Sequence, residues 1–465
     1  MRPTTHSPLP AIPGHLRRSP FTAIRRGSSG VIERRRVDEG ATSAGEIMAD
    51  GAILIDIQWN NWTHTLFPSP AHVKEYFQHY PGKLIHIKFL KQTEAVISAD
   101  DLRSELKDYF EVFLEELPRW RSVKFWAPYV PRECFVGKIF LAARSLEHVV
   151  LEGPASFDIP ATSHLMSQCW SNCLSLRTFE LMSKTRDTVG SMIISPRNYL
   201  PLDNITALQL RNKLSIFECS EVLYRAQNLV ECLFSNITGS DSVLSPIRCR
   251  SLEKMELAVN LDDFDSLNPV QFGSLFESVR APKLHHLKMG NNHHWDDDHN
   301  SFMTFIKRSK CNLEALELDQ IKITGPQLHD ILFSSRSLRI LKVHGSASQN
   351  PQPFTHSIMW DLTKSPANSS LLCPLLEMFS INDTAFKDLP DGMVSKMLVG
   401  RIGDLKMVWL RFNHLATVHQ SIDVTKLRTI ASNPRVLNAI VDDSTASLRE
   451  WDHMVRELSR KPNVI

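Results

Sequence analysis

The densest run of residues able to do chemistry is His285-His286 followed by His293-His294-Trp295-Asp296-Asp297-Asp298-His299. Imidazole and carboxylate groups ligate metals, and a loop that folds them together would make a divalent-cation site. The spacing fits neither a His-Glu-x-x-His helix nor an Asp-x-Asp-x-Asp-Gly calcium loop. A solvated loop between a strand and the next helix is therefore expected, with no metal assigned. Cys169 and Cys173 stand four apart on a predicted helix with no second Cys or His pair at zinc spacing, which marks them as structural. There is no Gly-x-Ser-x-Gly elbow, no phosphate-cradling glycine loop and no dinucleotide fingerprint, and glycine is scarce at 18 residues. No catalytic residue is assigned, no cofactor is expected, and the chain reads as a non-enzyme.

The remaining candidates are polar and aromatic side chains that recur within one repeated phrase. The phrase is apolar, two variable residues, apolar, one variable residue, apolar. It reads Leu84-Ile87-Phe89, Trp120-Val123-Phe125, Leu146-Val149-Leu151, Leu176-Phe179-Leu181, Ile205-Leu208-Leu210 and Leu229-Cys232-Phe234. It continues as Leu252-Met255-Leu257, Leu284-Leu287-Met289, Leu313-Leu316-Leu318, Leu338-Leu341-Val343, Leu376-Phe379-Ile381 and Leu405-Val408-Leu410. Successive phrases begin 23 to 38 residues apart, with a mean near 29. That is the leucine-rich-repeat period. It predicts an α/β solenoid in which each unit contributes a strand to a curved parallel sheet on the concave side and a helix to the convex side.

Residues two apart on a strand share a face, so the apolar positions point to the helices and those between them to the concave side. This geometry selects a partner-binding face of Trp126, His148, Glu180, His286, Lys288, Glu317, Lys342, His344, Trp409 and Arg411. Trp126 and Trp409 are the expected anchors, because Trp and Arg dominate interface energetics. The mixed charge along the face suits a protein partner.

The units are expected to share one grammar of helix, turn and strand. Leu102, Leu106, Tyr109, Phe110, Phe113, Leu114 and Leu117 recur at helical spacing between Asp100 and Leu117, and Pro118 stops them before the strand of Trp120. Pro269 and Pro326 open predicted helices at Val270–Val279 and Gln327–Phe333, a position where the missing N–H costs nothing. Ile53–Ile57 reads as an opening strand. An asparagine ladder behind the strands is met only at Asn260, Asn292 and Asn413, which predicts an irregular solenoid.

Residues 1–50 are rich in Pro, Arg, Ser and Gly, lack apolar periodicity and are expected to be a disordered basic tail. They hold eight of the arginines and a charge of +3 against a total of +2, so the repeat body at 52–413 has no basic excess and no nucleic-acid partner is expected. Residues 414–465 are expected to cap the last unit, with a terminal helix over Ser447–Arg460. No apolar run is long enough to predict a membrane span. The cysteines at 134, 169, 173, 219, 232, 249, 311 and 373 fit buried thiols of a reducing compartment, so a cytoplasmic or nuclear location is expected.

Over roughly residues 52–413 the repeat grammar resembles that of fungal F-box proteins with leucine-rich repeats, particularly the divergent set of mushroom-forming fungi. The resemblance rests on the strand Ile53–Ile57, the helix ending Leu114-Glu115-Glu116-Leu117-Pro118-Arg119-Trp120, and Arg144-Ser145-Leu146-Glu147 before a strand. It implies a substrate-recognition subunit of a cullin–RING ubiquitin ligase, in which F-box helices hold the adaptor and the repeats hold the target. Residues 1–50 carry no Leu-Pro-x-Glu opening and no Trp-containing helical segment, so the adaptor-binding part of the family is not matched. The resemblance then implies an F-box that is lost or mis-assembled at the gene level, or a function independent of the adaptor. A ligand-sensing receptor holding a small molecule on the concave face is the alternative from another class.

Overall fold

The computed structural model describes residues 46–60, 65–89, 102–138, 140, 143–154, 157–171, 173–183, 200, 202–238, 245–259, 270, 272–290, 295–345, 352–365, 371–385, 389–411 and 438–441. The first strands are β1 (Glu46–Ile47), β2 (Ile53–Asn60), β3 (Thr65–Phe67), β4 (Ile85–Phe89), β5 (Trp120–Trp126), β6 (His148–Gly153) and β7 (Thr178–Ser183). They are followed by β8 (Ala207–Leu210), β9 (Leu214–Ser215), β10 (Glu231–Thr238), β11 (Ile247–Arg248), β12 (Lys254–Val259), β13 (Val279–Arg280) and β14 (His286–Gly290). The last are β15 (Ala315–Asp319), β16 (Ile340–His344), β17 (Met378–Asn382), β18 (Met407–Arg411) and β19 (Asn438–Val441). Between them lie α1 (Pro70–His79), α2 (Arg103–Glu115), α3 (Ile159–Met166), α4 (Ile216–Arg225) and α5 (Gly273–Ser278). The later helices are α6 (Trp295–Ser309), α7 (Gly325–Ser334), α8 (His356–Leu362) and α9 (Met393–Gly400).

Every phrase lies on a strand of one large, mostly parallel sheet, and the strands pair in register from unit to unit. The middle apolar residue runs Ile87↔Val123↔Val149↔Phe179↔Leu208↔Cys232 and on through Met255↔Leu287↔Leu316↔Leu341↔Phe379↔Val408. A one-residue slip anywhere would turn a whole strand's apolar set to the other face, so burial fixes the register. Almost all phrase residues are buried in one continuous cluster with the helices' apolar faces. Truncating one of them, such as Leu287, removes burial worth about 2–5 kcal/mol.

Helix starts follow local chemistry. Ser69 caps α1 ahead of Pro70. Ser215 and Glu218 form a reciprocal capping box on α4, and Thr324 with Gln327 does the same on α7. Pro326 occupies the first turn of α7, as expected. Helix α5 is shorter than the expected Val270–Val279: it starts at Gly273, and at its end Val279 pairs with Ile247 instead.

The expected tail boundary is corrected. Glu46 and Ile47 pair antiparallel with Leu54 and Ile53, so the sheet begins inside the segment assigned to the tail. Parallel pairing also runs past the last phrase: β19 sets Ala439 beside Val408. Val436-Ala439-Val441 is the phrase with a smaller central residue, which is why it escapes a search for large apolar groups. The expected terminal helix at Ser447–Arg460, residues 1–45, and Pro269, Asn260, Asn292 and Asn413 lie outside the described residues.

Candidate interaction surface

The variable residue between the last two apolar positions of each phrase forms one column across the opposite face of the sheet. It reads Asp56↔Lys88↔Lys124↔Val150↔Glu180↔Gln209↔Leu233, then Glu256↔Lys288↔Glu317↔Lys342↔Ser380↔Trp409. Neighbouring strands stand about 4.8 Å apart, so alternate charges within the column pair directly. Lys88 Nζ lies 2.7 Å from Asp56 Oδ2, and Lys288 Nζ lies 2.8 Å from Glu256 Oε1. Lys124 reaches diagonally to Glu152 at 2.5 Å.

The column changes character along its length. From β2 to β14 its charged members are half-exposed, and His148 beside it is exposed. Burial pushes the Glu180 carboxyl above its ordinary range; Lys124 and Arg211 pull it back, and Glu152 pushes it further up. Burial likewise lowers His86, against the pull of Asp50. From Glu317 on β15 to Trp409 on β18 the column is buried, and so is His286 beside it.

In that closed part His286 Nε2 lies 3.0 Å from Glu317 Oε1, and Lys342 Nζ lies 3.7 Å from Glu317 Oε2. Burial alone would raise Glu317; the His286 hydrogen bond, then Lys342 and Lys288, outweigh it and hold this carboxyl well below the usual range. His344 Nε2 lies 2.9 Å from Ser380 Oγ, and its ring meets Trp409 edge-on at 6.2 Å.

Several expected contact residues are therefore corrected. His286, Glu317, Lys342, His344 and Trp409 are buried, as is Trp126, which is 6% exposed. Trp409 is only 1% exposed, which removes it as a ready anchor. The reason is cross-strand pairing: each polar group in the closed part meets a partner one or two units away. His148, Glu180 and Lys288 keep accessible surface. Arg411 ends β18, and its side chain lies outside the described residues.

The His/Asp run is also corrected. His293 and His294 lie outside the described residues, but residues 295–299 open helix α6 instead of forming a solvated loop. Trp295 is fully buried and Asp298 accepts from the backbone N–H groups of Phe272 and Gly273 at 2.9 and 2.7 Å, holding the start of α5. An acidic first turn suits the positive end of a helix, a sufficient reason for three consecutive Asp residues. Among the described residues no three His, Cys, Asp or Glu side chains come together to hold a metal ion. The described cysteines are free thiols, most of them buried, and burial raises Cys169 to about 12.

Sequence reading missed Asp56, Lys88 and Ser380 as members of this face. All three occupy the same slot of the phrase as Glu317, so slot counting alone would have found them. It also missed Arg401, a fully buried guanidinium between α9 and β18 that donates to the carbonyls of Leu362, Leu372 and Cys373.

No protein-family model matches the chain, and no curated protein matches it. The class defined by the fold is thus an α/β protein with a large, mostly parallel sheet, in which no described helix is long and apolar enough to cross a membrane.

Proposed function

We propose that the chain is a non-enzymatic protein-interaction scaffold, a leucine-rich-repeat solenoid that binds a protein partner along the open part of its polar strand face. One observation carries this reading: between Asp56 and Lys288 the charged members of the column are half-exposed, and two neighbouring sets, Asp56 with Lys88 and Glu256 with Lys288, pair opposite charges. Exposed ion pairs contribute little to folding, so a partner's carboxylates or ammonium groups can replace them at small cost. Charges arranged this way give specificity more than raw affinity. The binding residues are then Lys88, Lys124, His148, Glu180 and Lys288, with Asp56 and Glu256 as their counter-charges. From the resemblance to fungal F-box proteins comes the more specific proposal of a substrate-recognition subunit of a cullin–RING ligase. The test is affinity purification from the host with wild type and a Lys88→Glu/Lys124→Glu double variant. A partner captured by the wild type and lost by the variant supports the surface, and adaptor and cullin subunits in the eluate support the ligase role. Identical eluates from both proteins would reject the surface.

A second reading, a receptor for a small polar molecule, draws on the closed part of the face. Glu317 is buried, and among the described residues its Oε2 has no hydrogen-bond partner, with the Lys342 ammonium 3.7 Å away, a costly arrangement unless a donor reaches it. Native mass spectrometry of the full chain decides it: a retained small molecule, lost in Glu317→Gln, supports this reading.

A further inference from the structure

Where the chain passes from helix to strand, several arginines are engaged by backbone. Arg119 donates to the carbonyls of Lys83 and Tyr80, and Arg177 to those of Leu174, Leu176 and Asn204. Arg308 holds the carbonyls of Phe276 and Val279. These guanidiniums satisfy the orphan acceptors of helix ends and turns.

The units around β11 and β13 break this pattern. These two short strands pair in parallel and put Arg248 directly beside Arg280. Both are exposed, as is Arg250, which flanks the buried Cys249 on the same side as Arg248. The backbone N–H of Ala281 donates to Ser309 Oγ, which brings Lys310 to the same edge, and Lys283 follows in the same turn. Among the described residues none of these five cations has a carboxylate or a carbonyl partner. The carboxylates of the same units are turned elsewhere: Glu253 to His285, Glu277 to Ser301 and Glu314 to Arg339. Like charges placed side by side on neighbouring strands repel, and nothing in the packing of these units requires them.

We propose that Arg248, Arg250, Arg280, Lys283 and Lys310 form a second docking surface, for an acidic segment of a protein partner. Arg248 and Arg280 stand side by side on adjacent strands, and each planar guanidinium can donate two parallel hydrogen bonds to a carboxylate. An acidic peptide fits better than a nucleic acid because the patch is local: residues 1–50 carry +3 against a total of +2, so the rest of the chain has no basic excess to follow a long phosphate backbone. A short run of Asp and Glu side chains matches five exposed cations. This surface lies apart from the polar strand face and does not depend on it.

The test uses the full chain and a fluorescent peptide of alternating Glu and Asp, read by anisotropy at low and physiological salt. Competitors are a neutral peptide of the same length and single-stranded DNA of the same charge. Arg248→Glu/Arg280→Glu is expected to weaken peptide binding about tenfold or more, and Arg248→Ser/Arg280→Ser to weaken it less. Lys88→Glu/Lys124→Glu, on the strand face, is expected to bind the peptide as wild type does, so failure of one surface is distinguishable from failure of the other. Salt is expected to weaken the wild-type interaction. The proposal is overturned if the wild type does not bind the acidic peptide at low salt, if the charge reversal leaves binding unchanged, or if the DNA binds more tightly than the peptide.

Discussion

His286 and Glu317 sit side by side on adjacent parallel strands, 3.0 Å apart between Nε2 and Oε1, with both side chains buried in the sheet's polar face. Lys342 approaches the other carboxylate oxygen from the next strand at 3.7 Å. Glu317 is thus the hub of a charged cluster that no single unit could build. Removing the hub leaves a buried ammonium without its counter-charge. Glu317→Ala is expected to lower stability by about 3–5 kcal/mol and Glu317→Gln by less, measured by denaturant titration.

The same carboxylate makes stability depend on pH in a defined direction. Its folded pKa lies below its unfolded value, so the unfolded state binds the extra proton. The contribution is fully present above the ordinary glutamate range, near pH 4.3. It is lost as pH falls from there through the depressed folded value. Thermal midpoints of wild type are expected to fall more steeply with acidification below about pH 4.3 than those of Glu317→Gln. Parallel curves would remove Glu317 from the acid response.

Trp409 behaves as a core residue in spite of its slot. With 1% exposure and the His344 ring against it, Trp409→Ala is expected to destabilise the fold by about 3–5 kcal/mol. A thermal midpoint equal to wild type would return Trp409 to the binding surface.

Arg401 cannot be replaced by the other basic residue. Its guanidinium serves three carbonyls, on Leu362, Leu372 and Cys373, from a site with no exposed surface. A lysine ammonium lacks the planar fork. Arg401→Lys is expected to cost about 2–4 kcal/mol, read as a shift in denaturant midpoint with an unchanged slope.

The sheet was legible because its period is written in the largest apolar residues, and register follows from burying them all on one face. Leu287, Leu316 and Leu341 align as their spacing requires. The exposure of the intervening slots was not legible, because it depends on what stands one or two units away. His344 and Trp409 are remote in sequence and meet only through strand stacking. A local pattern assigns both to the solvent side and gives no hint that they cover one another. Asp298 misled for a related reason: within an acidic run it resembles a metal ligand, whereas its partners are the backbone N–H groups of the preceding helix. His148, Glu180 and Lys288 keep accessible surface, as their slots lead one to expect.

The most direct test of the open strand face as the binding surface is partner capture by Lys88→Glu/Lys124→Glu against wild type, with thermal midpoints measured on the same preparations. Lys124→Glu sets a second carboxylate against the buried Glu152, so the double variant is expected to lose about 3 kcal/mol or more of stability, and capture is compared at a temperature well below both midpoints. Capture of the wild-type partner is expected to fall about tenfold or more. A variant that is folded at the assay temperature and captures the same partner equally well would contradict the assignment of this face.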